Sequence, residues 1–155
     1  MRQADMGLLM LRLGVGAVLV GHGAPKLFGG SDRTPPEFLG RLMGKNYEGA
    51  WRQSGPENFG STLEKLKVPK PTLAARVSGA AELGGGLALA LGAGTRVMGP
   101  AVVANMAVAI RTVHWQNGLY GEGGFEFPLI LGAGAACLSL TGAGALSLDR
   151  LLRRG

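Results

Sequence analysis

The sequence predicts an all-α integral membrane protein: four transmembrane helices in one bundle, with a long, partly helical loop between the first and second. Three observations carry this. Apolar residues are gathered into blocks near the length that crosses a bilayer, roughly 20 residues of helix. Arginine and lysine flank these blocks. Glycine is abundant, 28 of 155 residues, and much of it sits with alanine inside the apolar runs. Glycine there lets membrane helices approach closely, whereas in a soluble helix it is costly. No stretch shows the period-two alternation of a strand.

The first span covers residues 6–24 within LLMLRLGVGAVLVGHGAPKLF, with Pro25 and Gly29-Gly30 expected to end it. Residues 29–71 are polar, rich in proline and glycine, and too long for a structureless loop, so local folding is expected. A short helix over 36–43 would put Phe38, Leu39, Leu42 and Met43 on one side, and Ser61-Thr62-Leu63-Glu64 reads as a capping box opening a second short helix. Tyr47 and Trp51 suit the membrane interface, ring in and polar edge wet. The second span covers 73–92, the third 97–115 and the fourth 125–143, followed by the tail SLDRLLRRG. At this length the whole chain, 1–155, reads as one domain.

Composition excludes several classes. The formal charge of +6 is spread as flanking residues, with no basic face or motif for nucleic acid. The triple glycine of the second span has no preceding strand and no GxGxxG, so nucleotide binding is set aside. The single cysteine, Cys137, forms no intrachain disulfide or metal cluster and reads as a small buried thiol. The opening MRQAD has no secretory-signal pattern, so the first span is expected to be retained.

Four spans put both termini on one side. Arg2, Arg96, Arg150, Arg153 and Arg154 in the short segments there make it the cytoplasmic side of a bacterial inner membrane, although the long loop also carries many basic residues. A rise of about 1.5 Å per residue puts Arg12 roughly 16 Å below the outer end of span one. Glu82 and Asn105 come to a similar depth. These three are the structural intramembrane polar residues. An ion pair of Arg12 with Glu82 is expected, because each alone in hydrocarbon costs at least about 2.5–3.5 kcal/mol. Asn105 would satisfy remaining hydrogen bonds. The pair is either a register-fixing contact or part of a working site.

His22, Lys26, Arg76, Arg111, His114, Glu122 and Glu126 gather at the outer level. Of these, His22, His114 and Glu126 are the candidate catalytic residues, able to hold or pass protons, and Lys26 and Arg111 the candidate ligand-binding residues. An apolar slot with donors and proton carriers at its head is what a quinone needs. Two histidines on different helices can also ligate haem, which is disfavoured because it demands a facing geometry. No metal site is expected. Asn105 and His114 fall on opposite faces of a straight helix, so one pocket touching both requires a bend near Pro100 or in the last turn.

RLGVGAVLVGHGAPKLFG, AAELGGGLALALG, NMAVAIRTVHW, GGFEFPLILGAGA and GAGALSLDRLL, in this order and spacing, resemble the DoxX family of small bacterial membrane proteins. The resemblance implies a four-helix membrane fold and a link to redox complexes, some relatives being subunits of thiosulfate:quinone oxidoreductase. It carries Arg12, His22, Lys26, Glu82, Asn105, His114 and Glu126 over as motif positions. The expected function is a membrane subunit of a redox, even respiratory, complex, surrounded by membrane lipid and working with a redox-enzyme partner. It would bind a quinone or similar lipid-soluble molecule, with no flavin motif or metal cage of its own for electron transfer. The alternatives are a non-catalytic anchor for such an enzyme, or a small-molecule or proton permease, which would need an oligomer.

Overall fold

A computed structural model describes residues 2–152, so Arg153 and Arg154 of the predicted cytoplasmic group lie outside the described residues. The chain is all-helical: α1 Gln3–Phe28, α2 Glu37–Met43, α3 Tyr47–Gln53, α4 Pro56–Lys65, α5 Pro71–Leu91, α6 Thr95–Ala109, α7 Glu126–Thr141 and α8 Leu148–Leu152. No strand occurs among the described residues. After α6 the helix widens into a π-helical turn, Ile110–His114, and tightens into a 3-10 turn, Trp115–Asn117. Two helices, Gln3–Phe28 and the continuous Thr95–Asn117, are long and apolar enough to cross a membrane; Glu126–Thr141 is apolar but shorter.

The chain divides into two compact units, residues 1–20 with 84–155, and residues 21–83. The core of the first unit is built by four helices: Val15 and Leu19 from α1, Leu89 from α5, Val102 and Met106 from α6, and Leu131, Ala135 and Leu138 from α7. Glycine sets how near these helices come. A Cβ on Gly16 would lie 2.7 Å from the Gly86 carbonyl oxygen and the Ala90 Cβ, and one on Gly86 would lie 2.9 Å from the Gly16 oxygen. α1 and α5 therefore meet backbone to backbone at this crossing, as small residues permit in membranes. The C-terminal tail closes one end. The Asp149 carboxylate accepts hydrogen bonds from the Gly94 N–H at 2.7 Å and the Thr95 N–H at 3.0 Å, supplying α6 with an N-terminal cap from distant sequence.

The second unit surrounds a smaller core of Ala24, Tyr47 and Trp51, with Leu39, Met43 and Leu83 packed against it. Several expected boundaries change here. α1 runs through Pro25 to Phe28 instead of stopping at Ala24. Proline takes the φ of a helix, and although its missing N–H and its ring disturb the bond to the Gly21 carbonyl, the helix carries on and the Gly29 N–H returns to the Pro25 carbonyl at 2.8 Å. The expected capping box is not a helix start. α4 begins at Pro56, where the missing N–H is harmless. Ser61 and Thr62 sit inside it, their hydroxyls bonded to the Glu57 and Asn58 carbonyls. α2 forms where expected but turns only Leu39 and Met43 inward, leaving Phe38 and Leu42 exposed.

Candidate functional site

Within the second unit, Lys26 on α1 and Glu82 on α5 form a close ion pair, Lys26 Nζ donating to Glu82 Oε1 at 2.6 Å. The helices are held near enough by glycine. A Cβ on Gly79 would lie 3.1 Å from the Lys26 Cβ, and one on Gly23 would strike the Leu83 backbone and lie 2.9 Å from the Glu82 Cβ. Glu82 is only 3% exposed, whereas the Lys26 side chain keeps 20% of its surface. The Lys26 ammonium also lies over the Phe59 ring of α4, 4.8 Å from its centroid, a favourable cation–π contact. His22 is four residues before Lys26 on α1, so the two share a helix face, and His22 is exposed. The result is a buried carboxylate bridged to a reachable ammonium, with an imidazole one turn away.

This corrects the expected partner of Arg12. Glu82 takes Lys26 as its cation, and Arg12 Nη2 donates to the Leu146 carbonyl at 2.5 Å. Arg12 is 1% exposed, and among the described residues its Nε and Nη1 have no hydrogen-bond partner. The physical reason is where α1 starts. Its first turns extend beside the C-terminal tail, with the Asp5 carboxylate accepting the Ala145 N–H at 3.0 Å, so Arg12 arrives beside the turn between α5 and α6. There Gly92, at φ +66°, leaves the space its guanidinium fills; a Cβ would collide with Nη1. The same Asp5 carboxylate also accepts the Arg2 N–H at 3.1 Å.

Tyr47 and Trp51 also depart from expectation. Both lie on α3, which the sequence did not announce, and both are buried edge-to-face, 5.8 Å apart, instead of wet at an interface. The Tyr47 hydroxyl and Trp51 Nε1 have no hydrogen-bond partner among the described residues, and burial pushes the Tyr47 phenol above its ordinary value. The available signal was helical spacing: Tyr47 with Trp51, and Glu48 with Arg52, are both i,i+4 pairs.

Of the remaining predicted residues, Arg76 is exposed on α5 in the second unit, and the others belong to the first unit. His114 Nδ1 lies 2.8 Å from the Gly123 carbonyl, which can only accept, so Nδ1 carries the proton. Asn117 Nδ2 donates to the same oxygen at 3.0 Å. Glu126 opens α7 with its Oε2 buried and, among the described residues, without a hydrogen-bond partner, 2.9 Å from where a Gly124 Cβ would be. Arg111 is exposed, and Asn105 is half-buried on α6. Between Asn105 and the end of this helix lies the π-helical turn Ile110–His114, which shifts the helical phase within its last turns. Trp115 stacks on Phe125 at 5.6 Å. Cys137, expected inside, is exposed on α7. Among the described residues no group of histidine, cysteine and carboxylate side chains could hold a metal.

Residues 7–115 match the family model DoxX. The chain belongs to the DoxX family. With two helices fit to cross a bilayer, this DoxX-family chain is a membrane protein. The match takes in α1 to α6, and so Lys26, Glu82, His22 and His114, and it ends before Glu126. No curated protein and no solved structure matches the chain.

Proposed function

We propose that this protein is a multi-pass subunit of a redox complex in the bacterial inner membrane, and that it binds a quinone or similar lipid-soluble redox molecule beside Lys26 and Glu82. The carrying observation is the 2.6 Å ion pair itself: a carboxylate almost wholly buried, tied to an ammonium that remains one-fifth exposed. Ionisable residues within membrane helices are costly and mark functional sites by default. Lys26 has two further N–H donors for a ligand carbonyl. Glu82 and His22 are groups able to exchange protons as such a carbonyl is reduced. His114 and Glu126, with Arg111 nearby in sequence, form a second polar group in the first unit and are assigned the passage of protons. The four-helix membrane bundle is part of this reading, with α1, α5, the α6 continuation and α7 as its spans, and so is a cytoplasmic location for both termini. The residues left at that end, Arg2, Arg96 and Arg150, support the orientation.

The test is purification of the native protein from membranes, with lipid extraction and identification of what accompanies it. A quinone retained by the wild type and depleted in His22→Ala and Glu82→Gln supports the reading; extracts free of any redox-active lipid overturn it. The anchor reading has one observation in its favour, the exposed Phe38 and Leu42 of α2, 67% and 74% exposed. A redox enzyme that co-purifies and works equally well with the His22 variant would select it.

A further inference from the structure

At one end of the first unit lies an open cleft of about 510 Å³, between the start of α1, the start of α6 and the C-terminal tail. Its chemistry is cationic. Arg2, Arg96 and Arg150 line it, against the carboxylates of Asp5 and Asp149. Both carboxylates are engaged: Asp5 accepts the Arg2 and Ala145 N–H groups, and Asp149 caps α6. Arg96 and Arg150 make no side-chain hydrogen bond or ion pair among the described residues. Behind two of the lining residues is a further positive charge. Ala143 and Ser147 adjoin the point beside Gly92 that Arg12 Nη1 also reaches; Arg12 is attracted by Asp149, and its Nε and Nη1 have no hydrogen-bond partner among the described residues.

Two features select the class of anion. Helices Gln3–Phe28 and Thr95–Asn117, the two able to cross a membrane, both begin at this cleft. It therefore lies at the depth where a bilayer changes from hydrocarbon to phosphate. Next in sequence to its residues stand exposed apolar side chains: Leu140, Leu146, Leu151 and Val97. A guanidinium-lined hollow with an apolar shoulder fits an amphiphile whose head is a phosphate ester. The volume is within the range of small-molecule sites.

We propose that this cleft binds the phosphate head of an anionic phospholipid, with Arg96 and Arg150 as its principal ligands. The site is separate in residues and chemistry from the Lys26–Glu82 pair, and its test needs no quinone. The purified protein is placed in nanodiscs of phosphatidylcholine with a minor fraction of phosphatidylglycerol, and the lipids it retains after release are counted by native mass spectrometry. The wild type is expected to retain phosphatidylglycerol in preference to phosphatidylcholine. In Arg96→Gln/Arg150→Gln that preference should fall by about tenfold or more, two charge-assisted contacts being lost. Arg96→Lys/Arg150→Lys, which keeps the charge, should retain part of it. Equal retention of the two lipids by the wild type overturns the proposal without recourse to any variant, as does a preference unchanged in the double glutamine variant. Inorganic phosphate that displaces the lipid and stabilises the protein as well as the lipid does would reassign the cleft to free phosphate, which also overturns it.

Discussion

Lys26 and Arg12 solve the same problem in different ways. Each is a cation on α1 that must leave water. Lys26 meets a carboxylate, so the cost of burial is offset by attraction at short range. Arg12 meets a carbonyl and the attraction of Asp149, and two of its nitrogens have no hydrogen-bond partner among the described residues. Removing one member of the first pair strands the other. Lys26→Met is expected to destabilise the protein by about 3 kcal/mol, and Lys26→Met/Glu82→Leu to recover most of that, because replacing a whole buried pair by apolar groups is often neutral. Thermal or denaturant unfolding of the two variants measures the difference.

The elements explain which residues can meet. The α1–α5 crossing in the first unit depends on Gly16 and Gly86, each lacking the atom that would strike the other's backbone. Gly86→Leu should separate the helices and cost about 1–3 kcal/mol, visible as a lowered unfolding temperature with helix content kept. The apolar blocks, their order and the composition of α1, α5, α6 and α7 were legible because hydrophobic length is a local property of sequence. So was the local folding of the long loop. The partner of Glu82 was not legible, since depth along a helix identifies residues at one level but not which side chain turns toward another. Counting depth from the outer ends of spans one and two as if these were level puts Lys26 and Glu82 at different depths, whereas the ion pair brings them side by side. The position of Arg12 depended on the tail folding back to offer the Leu146 carbonyl, a contact 134 residues away in sequence. The π-helical turn Ile110–His114 was not legible, because it carries no proline or glycine to mark it.

At the scale of the molecule, membership of the DoxX family and two helices of spanning length make this a membrane protein, while the chemistry is concentrated in a few polar side chains. The reading of function places a lipid-soluble redox molecule against the reachable side of the Lys26–Glu82 pair. It is tested most directly by equilibrium titration of the purified protein in lipid nanodiscs with a short-tailed quinone, for the wild type and for Glu82→Gln, each checked for an unchanged helical spectrum. Saturable binding by the wild type, weakened about tenfold or more in Glu82→Gln through loss of a charge-assisted contact, is the predicted result. No saturable binding by the wild type, or equal affinity in both proteins, would contradict it.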